Sequence, residues 1–105
     1  MNPIQQISPQ EAFERITQGA VLIDVREQDE FDEMSCAVEH VIHAPMSQFQ
    51  NLIQTLPKDK ECITICYSGG RSFVATQLMS AFGFTQVSNL SGGISSWRNA
   101  GLPMK

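Results

Sequence analysis

The chain has 105 residues, 42% of them hydrophobic and 17% charged, which fits one globular domain over residues 1–105 and excludes a second independent core, a collagen-like repeat or a disordered chain. Eleven acidic against seven basic residues leave a net charge of −4, the wrong sign for a nucleic-acid or anionic-membrane partner. The longest uninterrupted apolar run is Ala20-Val21-Leu22-Ile23, and no basic segment followed by an apolar core opens the chain, so neither a membrane span nor a secretory leader is expected and the cytoplasm is the expected compartment.

Ser8-Pro9-Gln10-Glu11 combines an N-cap serine, a proline at the first helical position and a glutamate placed to reach back to the cap. With Gly19 as the stop, it predicts a helix over residues 9–18 that buries Ala12, Phe13 and Ile16. Residues 20–23 then read as a strand apolar on both faces, hence central, ending at Asp24-Val25-Arg26. Residues 24–33 hold six acidic residues and one arginine, a local net charge of −5, and predict a short acidic helix around residues 28–33 with a solvated face. Residues 35–44 lack a clear period and read as a loop with a brief strand at Val41-Ile42. Ser47 to Gln50 repeats the capping-box pattern ahead of Phe49, Leu52, Ile53 and Leu56, predicting a helix that closes at Pro57. Cys62-Ile63-Thr64-Ile65-Cys66 is a β-branched run, and after Gly69-Gly70 the apolar positions Val74, Ala75, Leu78, Met79 and Phe82 return to helical spacing as far as Gly83. Residues 86–90 make the last strand, and residues 94–100 with Trp97 form a final helix stopped at Gly101. Strands separated by helices imply parallel pairing through right-handed crossovers, an α/β sheet covered by helices on both faces.

Three cysteines are an odd number in a chain large enough to fold without disulfides, which points to a reducing compartment and to a thiol in use. Cys66 is placed for that use, because ligands of open α/β sheets sit outside the carboxyl ends of the strands. The following Tyr67-Ser68-Gly69-Gly70-Arg71-Ser72 has two glycines able to take left-handed angles and turn backbone N–H groups inward around the sulfur. It leads into a helix N-terminus whose dipole, together with Arg71, favours thiolate over thiol, so a lowered Cys66 pKa is predicted. Such a thiolate needs no histidine base, and no Cys/His pair of recognisable spacing is present. Without the glycine loop, Cys66 would read as a buried structural thiol.

The other chemically suggestive residues read more plainly. Cys62 falls one strand length back on the same face and belongs to the core, while Cys36 lies in an irregular segment expected to be exposed and incidental. His40 and His43 lack a matching set of ligands, so no metal site is expected. Trp97, Phe13, Phe49 and Phe82 fall at helical core positions. Phe73 and Tyr67 flank the loop, with Tyr67 either walling a pocket or lying on the surface.

Taken together, these stretches resemble a single-domain rhodanese of the thiosulfate sulfurtransferase family. Leu22-Ile23-Asp24-Val25-Arg26 followed by Glu30-Phe31 is similar to its first motif, Cys66 to Ser72 to its active-site loop, and Leu90-Ser91-Gly92-Gly93-Ile94 with Trp97, Gly101 and Pro103 to its C-terminal motif. The resemblance implies an open, mostly parallel five-stranded sheet and a double displacement. Sulfane sulfur passes from a small donor such as thiosulfate or a persulfide to Cys66, and then to a thiol or cyanide acceptor or a sulfur-relay protein, with no cofactor. It implies that Tyr67, Ser68, Gly69, Gly70, Arg71 and Ser72 bind the donor and stabilise the persulfide, and that Asp24 and Arg26 brace the loop. Four residues separate Cys66 from Arg71, one fewer than in the related cysteine phosphatases, which favours sulfur over phosphate. Where relatives carry Gly-His-Ile-x-Gly-Ala, this chain has Glu39-His40-Val41-Ile42-His43-Ala44, so Glu39 and His43 are expected near the pocket mouth as influences on donor or acceptor choice. The alternative reading is a non-turnover binding or redox-sensing module built on the same domain.

Overall fold

The computed structural model describes residues 4–105, so the first three residues of the expected domain lie outside it. Five strands form one sheet in the order β1-β5-β4-β2-β3, every neighbouring pair parallel. They are β1 (Gln5–Ile7), β2 (Val21–Asp24), β3 (Val41–His43), β4 (Cys62–Ile65) and β5 (Val87–Leu90). The helices are α1 (Pro9–Thr17), α2 (Gln28–Glu33), α3 (Phe49–Leu52), α4 (Gly70–Ala81) and α5 (Gly93–Asn99). The α/β class, the parallel pairing and the five strands agree with expectation. β1 alone carries no expectation from its residues: it is a three-residue edge strand on which only Ile7 is buried, too short and too polar to show a period of two.

The two faces of the sheet carry separate cores. Val21, Ile23, Cys62 and Cys66 pack with Phe49, Ile53, Ala75 and Met79 under α3 and α4. Leu22, Ile63, Ile65 and Leu90 pack with Ala12, Ile16, Ile94 and Trp97 under α1 and α5. Alternation of side chains across β2 and β4 produces this split, and it is why residues 20–23 read as apolar on both faces. Trp97 is fully buried and meets Phe13 edge to face with ring centroids 5.8 Å apart.

Several local expectations are corrected. Ser8 caps α1 through Glu11 N at 3.1 Å, but the Glu11 carboxylate turns to Arg15 rather than back to the cap. Residues 46–55 form a short α3 between two 3₁₀ turns instead of one helix, because Ser47 spends its hydroxyl on Glu27 Oε1 at 2.6 Å and so does not cap the segment. Phe82 and Val74 are exposed, and Phe84 fills the core in place of Phe82. Cys36 is buried: Ser35 and Lys105 exchange backbone hydrogen bonds at 3.0 and 2.9 Å and lay the C-terminal tail over it. A partner so distant in sequence is invisible to periodicity.

Candidate active site

β4 is the central strand, and between it and β2 the order of connection reverses, which is where open α/β sheets leave a crevice at their carboxyl ends. Cys66 follows β4 at that point, 1% exposed. Gly69, at φ +109°, bends the chain so that its N–H donates to Cys66 Sγ at 3.0 Å, and the Ser72 hydroxyl lies 3.4 Å from the same sulfur. Burial by itself pushes the thiol up; the Ser72 hydroxyl and the backbone N–H groups of Ser72, Gly69 and Ser68 outweigh it and hold the Cys66 pKa below the ordinary thiol value. The other two thiols are a built-in comparison. Cys62 and Cys36 are equally buried but lack a ring of amides, and burial pushes them up to about 11 and about 12. The donors around the Cys66 sulfur are what the other two thiols lack.

Gly69 takes the left-handed angle expected of both glycines, but Gly70 does not: it is the first residue of α4, with nothing within 4 Å of where a Cβ would stand. Gly70→Ala is therefore expected to raise stability by about 0.5 kcal/mol by restricting the unfolded chain, read from the midpoint of urea unfolding.

Beneath the loop lies a buried polar network that sequence reasoning missed. The Ser72 hydroxyl has one proton and three acceptors in reach: Asn89 Oδ1 at 2.5 Å, Gly69 O at 3.3 Å and Cys66 Sγ at 3.4 Å. Asn89 Nδ2 donates to Gly69 O at 3.2 Å and to Gln6 Oε1 at 3.0 Å. Thr64 Oγ1 and Thr76 Oγ1 are 2.7 Å apart, and Thr76 donates to Ser72 O at 2.8 Å. Every member has a partner, so the network holds the first turn of α4 without an unpaired buried group. The visible signals are an asparagine inside a buried strand and a Ser/Thr pair four apart on one helix face. Ser72→Ala removes the hydroxyl facing the sulfur, and the pH midpoint of Cys66 alkylation by iodoacetamide is expected to move upward.

A second support comes from α5. Ile94 N and Ser95 N donate to Cys66 O at 2.8 Å and to Tyr67 O at 3.1 Å, so the N-terminus of α5 grips the two peptides that carry the thiol. Gly93, at φ +63°, permits the approach: a Cβ there would stand 2.5 Å from both carbonyl oxygens. The C-terminal motif thus acts on the active-site loop through its backbone.

Asp24 and Arg26 form a buried ion pair, Nη2 to Oδ2 at 3.0 Å, each side chain 1% exposed. Arg26 also donates to Glu30 O at 3.3 Å and Met34 O at 2.7 Å, which fixes α2 at this end of the sheet with the guanidinium fully engaged. Glu30 on α2 then reaches across 41 residues of sequence to Arg71, Oε1 to Nη1 at 2.7 Å and Oε2 to Nη2 at 2.8 Å. The Arg71 guanidinium is thus turned to Glu30 and makes no hydrogen bond to the sulfur, so its expected part in favouring thiolate is one of charge. Its charge still lies close enough for the Cys66 thiolate to be among the influences that raise the Arg71 pKa, after the Glu30 hydrogen bond.

Tyr67 lies on the surface, 44% exposed. His43 stacks on Phe31 at 4.3 Å and contacts Arg26 O through Nε2 at 2.6 Å, so it braces the turn after β2. Glu39 departs from expectation: it precedes β3, whose register with β2 runs from Leu22↔Val41 to Asp24↔His43, and so sits at the amino end of the sheet, opposite Cys66. No helix among the described residues is long and apolar enough to cross a membrane.

A family model described as the rhodanese-like domain matches residues 8–100. The thiosulfate sulfurtransferase GlpE of Haemophilus influenzae is 30% identical, covering 97% of this chain and 95% of that protein. GlpE of Ectopseudomonas mendocina is 33% identical over 93% and 88% of the two chains. Among solved structures, a rhodanese-related protein of Thermoplasma volcanium superposes with a TM-score of 0.85 at 31% identity, covering 96% of this chain and 97% of its own. The polysulfide-sulfur transferase of Wolinella succinogenes gives a TM-score of 0.85 at 25% identity over 97% and 78% of the two chains.

Proposed function

The chain belongs to the rhodanese-like family, and on that ground we propose that it is a sulfurtransferase that carries sulfane sulfur as a persulfide on Cys66. The observation that carries this reading is the amide cup: a buried sulfur facing Gly69 N at 3.0 Å and the Ser72 hydroxyl at 3.4 Å, with its pKa held low. Relatives named as thiosulfate and polysulfide sulfurtransferases support the reaction class.

In the first half-reaction the Cys66 thiolate attacks the outer sulfur of the donor. The donor's S–S bond breaks, and sulfite or a thiolate leaves with the electron pair. In the second half the outer sulfur of the persulfide is attacked by a thiolate or cyanide, and Cys66 returns as thiolate. No net oxidation occurs, so the cycle balances without a cofactor. The loop from Tyr67 to Ser72 stabilises negative sulfur in both resting forms, its N–H groups facing the thiolate in one and the charged terminal sulfur of the persulfide, seated in the same loop, in the other. The Ser72 proton can swing between Asn89 and the sulfur as the charge there comes and goes. Gly69, Gly70 and Ser68 shape the cup, Arg71 sets the charge at its rim, and Asp24 with Arg26 acts at a distance by seating α2. The donor is thiosulfate or a small persulfide, the acceptor a thiol, cyanide or a relay protein, and the compartment the reducing cytoplasm, in which three free thiols are at home.

Steady-state transfer from thiosulfate to cyanide, followed as thiocyanate, tests this function. Continuous turnover is expected. A single burst of one sulfur per chain with no turnover on either cyanide or a dithiol would point instead to a binding or sensing module.

A further inference from the structure

Arg71 is the charged residue of the active-site loop, and both of its terminal nitrogens are held by the two oxygens of Glu30, at 2.7 and 2.8 Å. The hydrogen bond from Arg71 keeps that carboxylate ionised down to about pH 2, so it does not let go by protonation in the neutral range. The other arginine at this end, Arg26, is 1% exposed and spent on Asp24, Glu30 O and Met34 O. Glu27 adds a further carboxylate on the same α2 end, bound to Ser47 N and Oγ at 3.1 and 2.6 Å. Arg71 cancels Glu30, Arg26 cancels Asp24, and the Cys66 thiolate and Glu27 remain. A donor therefore approaches a negative site whose arginines are already paired.

We propose, resting on the sulfur-transfer reading, that Glu30 is a specificity-determining residue. By pairing with both terminal nitrogens of the Arg71 guanidinium it withholds the counter-charge that a dianion needs, and it tilts the site toward monoanionic sulfane donors. Thiosulfate and methanethiosulfonate isolate that variable. They share a tetrahedral sulfur bearing an outer sulfur, and a methyl group in one replaces a charged oxygen in the other. Each gives the same Cys66 persulfide: the thiolate forms an S–S bond to the outer sulfur, the donor's S–S bond breaks, and sulfite or methanesulfinate departs with the electron pair. Repulsion between the site and thiosulfate carries two donor charges where methanethiosulfonate carries one.

Glu30→Gln keeps an Oε1 acceptor for Glu27 N–H, which Glu30 binds at 3.1 Å, and for one Arg71 nitrogen, while removing the charge. The ratio of kcat/KM for methanethiosulfonate to that for thiosulfate is expected to fall on the order of tenfold, through a lower KM for thiosulfate and with little change in kcat. In the unaltered protein, kcat/KM for thiosulfate should rise with ionic strength more steeply than that for methanethiosulfonate; this series decides the matter if the variant does not fold. A ratio unmoved by Glu30→Gln, or a thiosulfate rate that stays flat or falls with added salt, would overturn the proposal. If neither donor leaves one sulfur on Cys66, as judged by intact mass, it is the sulfur-transfer reading that fails, and this proposal falls with it.

Discussion

Cys66→Ser is expected to take no sulfur from any sulfane donor, and to lower transfer to cyanide by on the order of a thousandfold or more. Intact mass after incubation with thiosulfate measures the first, and thiocyanate release the second. The size follows from the chemistry. A serine hydroxyl in the same cup is a far weaker nucleophile toward sulfur, and no histidine base is at hand to activate it. The amide cup is built for a large, diffuse anion and gives a neutral hydroxyl nothing comparable. The two remaining thiols offer no bypass, since Cys36 and Cys62 are buried and pushed up to about 12 and about 11, which leaves both protonated at neutral pH. An equal one-sulfur adduct on Cys66→Ser would move the sulfur to another residue and rule out transfer through a Cys66 persulfide.

Gly93→Ala should damage both stability and sulfur transfer from outside the loop itself. The new Cβ would stand 2.5 Å from Cys66 O and Tyr67 O, both of them backbone atoms, at a residue whose φ of +63° already disfavours a side chain. Overpacking and left-handed strain together cost about 2–4 kcal/mol, a drop of roughly 10–20 °C in Tm for a domain of this size. The carbonyls can yield only by moving the peptides that carry the thiol, which also breaks the hydrogen bonds from Ile94 N at 2.8 Å and Ser95 N at 3.1 Å. A shift of that kind lowers kcat/KM by about a hundredfold. Gly101→Ala separates strain from collision: Gly101 is left-handed at φ +75° but has nothing within 4 Å, so the loss there should be about 1 kcal/mol, with sulfur transfer intact. If both variants lose stability and activity alike, the α5 grip on the loop is not what positions Cys66.

What could be read in advance depends on how far apart the interacting residues lie in the chain. The strand, loop and helix around Cys66 are contiguous, and a glycine able to take φ +109° beside a strand-end cysteine has a local meaning. The error over Gly70 is of the same local kind, because two adjacent glycines look alike until the helix start is known. Phe82 and Phe84 exchanged places for a related reason: periodicity fixes the spacing of a helix face but not where the helix stops, and Gly83 turns the chain between them. Cys36 looked exposed because its cover is the C-terminal tail, paired to it by residues some 70 positions away.

The order of residues was enough to establish the alternation of strands and helices, the two-faced β2, the place of Cys66 at a strand end, and the family, all of which rest on residues near one another or on motifs in fixed order. Only the folded chain shows that Asn89 and Thr64 lie under the loop, that Ile94 N donates to Cys66 O, and that Glu30 holds Arg71. Each of these is a contact between segments that are not neighbours in the chain. Hydrophobic pattern and turn chemistry carry no information about such pairs; sheet order and register create them.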